Sequence, residues 1–185
     1  MSKPFPALDA IHTIAFDFDG VFTDNKVWVD QDAREMVRCD RSDGLAFDLL
    51  RAFQRRGAVR AQCLIVSKEA NPVVLGRARK LRIDCHHGIA DKLTFMRDHL
   101  ARRFPSGSAP FAGLVYLGND LNDLPLMRQA GFGVAPADAH PLVRAAADLV
   151  LEQRGGEGFV RAFIERLLDI NHMSPEELDE LVSHS

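Results

Sequence analysis

Three cysteines, Cys39, Cys63 and Cys85, are all that the 185 residues contain. An odd number without close spacing builds neither a disulfide framework nor a zinc knuckle, and it points to a reducing compartment, the cytoplasm. Basic charge is not in excess. Against 23 Lys and Arg stand 26 Asp and Glu, a net charge of −3, which argues against a chain that coats nucleic acid. No run approaches the ~18 apolar residues that span a bilayer. Met1 to Ala10 has no charged segment followed by a long apolar one, so it does not read as a signal peptide. Neither a nucleic-acid partner nor a membrane is therefore expected. Repeats and low-complexity segments are absent too. What is present is 46% hydrophobic and 26% charged residues. Those are globular values, and they exclude wholesale disorder. At this length roughly 70% of the unfolded chain's surface can be buried.

Short apolar runs alternate with helical spacing. Ile11 to Phe16, Gln62 to Val66 and Gly113 to Leu117 read as buried strands. Ile83 to His86, Gly133 to Ala135 and Leu149 to Leu151 read as shorter ones. Lys26 to Val29 and Glu35 to Cys39, with a turn-like Asp30 to Ala33 between them, predict a hairpin. Helices are expected over 43–56, 72–81, 91–103, 121–130, 158–168 and 174–182, and a surface loop over 104–112. His140, before Pro141, reads as a helix start. Strands apolar on both faces and separated by helices predict an α/β fold, a parallel sheet with helices on both sides. Residues 1–170 are expected as one domain, with 171–185 a C-terminal helical tail available to a neighbour.

In an open α/β sheet, functional groups gather at the carboxyl ends of the strands. Here three buried strands end at Asp17, Ser67 and Asn119-Asp120, and Lys92 opens the helix after a fourth. Carboxylate and amide oxygens suit Mg²⁺, a hard cation. A lysine and a hydroxyl suit a phosphoryl group. Asp17 and Asp19 stand two apart after an apolar strand, and Gly20 lets the chain turn. One carboxylate can attack phosphorus while the other gives a proton to the leaving oxygen. Asp-x-Asp-Gly alone is commonly a solvated turn; the strand before it and Val21-x-Thr23 after it favour the catalytic reading. Adjacent His86 and His87 point apart on a strand and are not read as a metal pair. Cys63 reads as core.

Asp17-Phe-Asp-Gly-Val-Phe-Thr-Asp24 resembles the first motif of the haloacid dehalogenase (HAD) superfamily. The resemblance implies a Rossmann-like HAD fold with Asp17 as nucleophile, forming an aspartyl-phosphate. It makes Asp19 the general acid/base, its main-chain carbonyl also on Mg²⁺. Ser67 and Lys92, the latter in Gly88-Ile-Ala-Asp-Lys92, fall where the family places its phosphate-binding residues. Gly118-Asn-Asp-Leu-Asn-Asp123 resembles the acidic metal motif. The implied metal set is Asp17, Asp19, Asn119, Asp120 and Asp123. Asp40-Arg-Ser-Asp-Gly44, Ala139-His140 and Arg154-Gly-Gly-Glu-Gly-Phe-Val-Arg161 are similar to the branch acting on 3-deoxy-ulosonate sugar phosphates. That branch includes 3-deoxy-manno-octulosonate (KDO) 8-phosphate phosphatase, phosphatases of KDN and sialic acid 9-phosphates, and modules fused to acylneuraminate cytidylyltransferases. It implies a Mg²⁺-dependent phosphatase that works as a homotetramer on a small sugar phosphate.

Two departures stand out. Asn119 replaces the usual first acid of the metal motif and brings an oxygen but no charge. After Ser67 the KDO 8-phosphate enzymes usually have Gly-Arg; this chain has Lys68-Glu69, which is similar to the nine-carbon phosphatases. Glu69, Thr23, Lys80 and Arg154 are the candidate substrate-binding residues, with Arg77 a further candidate for a sugar carboxylate. Between Asp19 and the first helix lie about 25 residues, enough for a hairpin but not a cap domain. A neighbouring subunit is the economical source of enclosure, and Val27, Trp28 and Val29 are candidates for that contact. The alternative function is a catalytically weak or inactive HAD oligomerisation module related to the cytidylyltransferases. A signalling receiver domain also combines Asp, Ser/Thr and Lys, but lacks a counterpart here for its third-strand phospho-acceptor.

Overall fold

The computed structural model describes residues 3–105 and 109–183. Its main sheet has six strands: β1 (Thr13–Phe16), β4 (Gln62–Val66), β5 (Asp84–His86), β6 (Leu114–Leu117), β7 (Phe132–Ala135) and β8 (Leu149–Val150). They lie in the order β5-β4-β1-β6-β7-β8, and every pairing is parallel. Strand residues alternate between two apolar layers. Ile14, Phe16, Ile65, Val115 and Leu117 face one side. Ala15, Leu64, Val66, Leu114 and Tyr116 face the other. That double burial is why these strands read as continuous apolar runs.

Helices cover both faces. On the first side lie α1 (Ser42–Arg55), α2 (Val73–Leu81) and α6 (Phe159–Leu167). On the second lie α3 (Lys92–Arg103), α4 (Leu124–Gln129) and α5 (Pro141–Ala146). The expected helix over 121–130 begins instead as a 3-10 turn, Leu121–Asp123, because Asp120 caps that turn and a proline opens α4. His140 does start α5, accepting the Leu142 N–H on Nδ1 at 3.2 Å. The last helix, α7 (Pro175–Ser183), falls within the expected C-terminal helical tail, 171–185. Leu181 is fully buried in the first layer, and Arg56 pairs with Glu180 at 3.4 Å. The helix therefore docks on its own domain. Residues 106–108 of the expected loop and 184–185 of the expected tail lie outside the described residues.

Only the hairpin of β2 (Thr23–Val29) and β3 (Glu35–Cys39) separates β1 from α1, so no cap domain covers the sheet edge. Val27 pairs with Val37 and Trp28 with Met36, and directly opposed residues share a face. Trp28 and Met36, 57% and 58% exposed, therefore form the opposite face to Val27 and Val37. The hairpin residues offered for a subunit contact are thus on the surface rather than in the core.

Candidate active site

Two strands from the middle of the sheet, β1 and β6, leave it at the point where the chain order reverses, the usual place for a ligand in such sheets. The Asp17 N–H bonds the Leu117 carbonyl at 2.8 Å, so the first acidic loop and the Gly118-Asn119 turn start side by side. Ser67 ends β4 on the other flank, its N–H tied to the His86 carbonyl at 2.9 Å. Above these ends opens a cavity of about 640 Å³, walled by Asp17, Asp19, Ser67, Glu69, Asn119 and Asp120. The sequence placed all six in the site, and the structure brings them together.

Asp17 is buried. Its Oδ1 accepts the Phe18 N–H at 2.7 Å and faces the Lys92 ammonium at 2.7 Å. No protein group bonds Oδ2 among the described residues, which leaves that oxygen to the cavity. Burial first, then the Asp123 carboxylate, push the Asp17 carboxyl up to about 7, against the pull of Lys92. Asp19 is half-buried. Its carboxyl is raised by burial and by the Glu69 charge, while Lys92 and a hydrogen bond from Thr23 oppose the rise. A raised carboxyl that still reaches solvent is suited to giving up a proton.

Lys92 does not open onto the cavity. It is 3% exposed and its ammonium bridges Asp17 and Asp123, 2.7 Å from each. Burial lowers its pKa, but the two carboxylates outweigh burial and hold it raised. Asp123 departs furthest from its expected role. Oδ1 accepts from Lys92 and from the Tyr116 hydroxyl at 2.6 Å. Oδ2 accepts the N–H groups of Asn119 and Asp120 at 2.8 and 3.1 Å. With both oxygens engaged and no exposure, Asp123 positions Lys92 and the Asn119 turn rather than walling the cavity.

Three expected substrate contacts do not line this chain's own cavity. Thr23 is fully buried, and its Oγ1 accepts the Gly20 and Asn25 N–H groups at 3.2 Å each, so it ties the acidic loop together. Lys80 lies in the last turn of α2, about 10 Å along the helix from the end that meets the site. Arg154 is on the surface, within 3.6 Å of Asp138 and 4.0 Å of Glu157. Arg77 is used internally, pairing with Asp43 at 3.4 Å and donating to the Asp40 carbonyl. Sequence reasoning missed Tyr116, Asn25 and Asn122, the last two on the cavity wall. A signal existed for Tyr116: it is the chain's one tyrosine, in a strand otherwise aliphatic.

The donors suit a hard divalent cation. No three His, Cys, Asp or Glu side chains converge as a ready ligand set among the described residues. The set rests instead on Asp17, the loop backbone and an amide. Asn119 Oδ1 is buried and without a hydrogen-bond partner, an arrangement that normally demands an explanation. A cation bound at that oxygen would supply one. Gly20, at φ +76°, keeps the approach open, since a Cβ there would fall 1.9 Å from Asn119 Nδ2.

Residues 109–163 match the haloacid dehalogenase-like hydrolase family. The chain is 30% identical over 184 residues to a 3-deoxy-D-manno-octulosonate 8-phosphate phosphatase of Salmonella typhi, covering 95% of this chain and 86% of that one. A Streptomyces avermitilis structure named for the HAD hydrolase family superposes with a TM-score of 0.78 at 38% identity, covering 89% of this chain and 95% of that one. The corresponding Moraxella catarrhalis phosphatase, solved with magnesium, phosphate and KDO, gives 0.75 at 27% identity and covers 86% and 87%.

Proposed function

The chain belongs to the haloacid dehalogenase-like hydrolases, and from that premise we propose that it is a Mg²⁺-dependent phosphatase of a 3-deoxy-ulosonate sugar, KDO 8-phosphate or a KDN or sialic acid 9-phosphate. The observation that carries this reading is one cavity that joins the unbonded Oδ2 of Asp17, the raised carboxyl of Asp19 and the Ser67 hydroxyl. Asp17 Oδ2 attacks phosphorus in line, and the bond from phosphorus to the sugar oxygen breaks. Asp19 delivers its proton to that oxygen, so the sugar leaves as an alcohol. Asp19, now ionised, takes a proton from the water that cleaves the aspartyl-phosphate and regenerates Asp17. Ser67 Oγ offers a hydrogen bond to a phosphoryl oxygen. Lys92 holds Asp17 in place and lends its charge from behind.

Asp17, Asn119 and the Asp19 carbonyl would hold the metal, with Asp120 beside it. Bound Mg²⁺ supplies the positive charge that keeps Asp17 ionised and screens a dianionic phosphate among these carboxylates. Glu69 on the wall accepts hydrogen bonds from hydroxyl or amide groups, and the resemblance of Lys68-Glu69 to the nine-carbon phosphatases favours the nine-carbon sugars. The uncapped site calls for a neighbouring copy, and the exposed Trp28 and Met36 suit a homotetramer contact. A cytoplasmic setting accords with this chemistry.

The test is Mg²⁺-dependent phosphate release from a panel of eight- and nine-carbon keto-deoxy acid phosphates. Asp17→Asn should abolish release by about 10³-fold or more while leaving the fold intact. Normal assembly with no release from any ester would instead favour an inactive oligomerisation module.

A further inference from the structure

The strands β1, β6, β7 and β8 are neighbours in the sheet, and the loops that leave their carboxyl ends close into a ring. In the loop after β7, the His140 N–H bonds the Asn119 carbonyl at 2.8 Å. The same loop reaches the one after β8. The Ala137 N–H bonds the Gln153 carbonyl at 3.0 Å, and Asp138 Oδ1 accepts the Gly155 N–H at 3.0 Å. Gly155 and Gly156, both buried, then lie against the acidic loop after β1. A Cβ on Gly155 would fall 2.0 Å from the Gly20 carbonyl oxygen, and the Gly156 N–H bonds the Val21 carbonyl at 3.1 Å. Gly20 rests on the Asn119 amide, which returns the ring to its start. The hydrogen bonds of His140, Ala137 and Gly156 run from backbone to backbone; the Asp138 bond is made by a side chain.

We propose that Asp138 is a positioning residue for the divalent cation, acting through Gly155 and Gly20 on the two loops that carry its donors. The inference rests on the metal site of the phosphatase reading. Asp138 does not wall the catalytic cavity, so it acts only through other groups. The proposed donors stand on separate loops. The Asp19 carbonyl immediately precedes Gly20, and Asn119 Oδ1 is the buried oxygen without a partner. Gly20 is held by two contacts, Asn119 against its Cα and Gly155 against its carbonyl. Asp138 fixes the second by holding the Gly155 N–H. Its other neighbour, Arg154, is 3.6 Å away and largely exposed; a surface pair of that kind contributes little. The bond to Gly155 is therefore what the carboxylate is placed for. Groups that orient metal ligands without touching the metal commonly change its affinity by about 10–100-fold.

The experiment titrates Mg²⁺ into the full chain by calorimetry, without substrate. Asp138→Leu removes the acceptor at nearly unchanged volume and should weaken Mg²⁺ binding about tenfold. Asp138→Ala should do the same. Asp138→Asn keeps an oxygen for the Gly155 N–H and should stay within threefold of wild type. In phosphate release, Asp138→Leu should need about tenfold more Mg²⁺ for half-maximal rate. At saturating Mg²⁺ its kcat and its KM for the sugar phosphate should return to within twofold of wild type, a recovery that a merely structural role would not give. Mg²⁺ binding by Asp138→Leu and Asp138→Ala within twofold of wild type overturns the proposal. So does an Asn variant as weak as these two, or a loss of kcat that saturating Mg²⁺ does not restore. No Mg²⁺ binding by wild type overturns it whatever the release assay shows. Mg²⁺ binding without phosphate release from any ester removes the phosphatase reading alone, and the calorimetric comparison of the variants still decides the role of Asp138.

Discussion

Replacing Lys92 with methionine tests whether the buried charge cluster is organised as the structure shows. The methionine keeps the length of the side chain but removes the one cation between Asp17 and Asp123, each 2.7 Å from the ammonium. All three side chains are nearly solvent-free, at 2%, 7% and 0% exposure. Breaking a buried pair by deleting one partner costs about 3–5 kcal/mol, because the remaining charge is left uncompensated. Here two carboxylates remain, so the upper part of that range applies. Against a total stability of about 5–15 kcal/mol, the loss is large, and in a domain of this size it corresponds to a fall in Tm of roughly 10 °C. Urea unfolding at pH 8 measures it. The loss should shrink on acidification. Without Lys92 the Asp17 carboxyl, already raised by burial, sits further above its unfolded value, so stability is greatest at low pH and drains away as pH rises through the raised value. Adding Asp123→Asn should restore about half of the loss, since one carboxylate then faces no like charge, and the two substitutions should be non-additive by more than 1 kcal/mol. Stability of Lys92→Met within 1 kcal/mol of wild type at pH 8, or strict additivity in the double variant, would refute the bridging role.

The other expectations concern the loops around that cluster. Asn119→Asp adds a charge at the unpartnered buried oxygen and should lower the Mg²⁺ concentration for half-maximal phosphate release about tenfold, or 1.4 kcal/mol; a magnesium titration of activity reads it. Gly155→Ala would put a Cβ 2.0 Å from the Gly20 carbonyl oxygen, backbone against backbone, and push the acidic loop aside. A displacement of about 1 Å there should cost about 10²-fold in kcat, with the far-ultraviolet circular dichroism unchanged. Asp43, buried at the start of α1, is raised to about 7 by burial, against the Arg77 guanidinium. Its folded value lies above its unfolded one, so its contribution is full below pH 4 and lost as pH rises through 7. Asp43→Asn should therefore flatten the fall of stability between pH 4 and 8 and gain a few kcal/mol on wild type at the alkaline end.

The elements were legible because strands buried on both faces carry their signature locally. β4 spans Gln62–Val66, as its run of apolar residues predicts, and the hairpin follows from two β-prone pieces around a turn. The acidic residues of the cavity were legible for a related reason: a motif at a strand's carboxyl end inherits its position from the strand. Three of the residues that do not line the cavity share one cause. Thr23, Asp123 and Arg154 have the right chemistry for substrate or metal, and Thr23 and Asp123 stand within a few residues of it, yet each spends its polar atoms on the protein itself. Spacing shows which groups a sequence offers to a site, but only the hydrogen-bond partners show which groups remain free. Asp17 and Asp123 make the point as a pair. Both contact the same ammonium, and one carboxylate is saturated by Tyr116 and two backbone N–H groups while the other keeps an oxygen unbonded. That difference, set by a tyrosine on β6 and the turn after it, separates the proposed attacking group from a positioning one. The same test applies to Asn119, whose orphaned oxygen is the strongest sign that the site is built around something the chain does not itself supply.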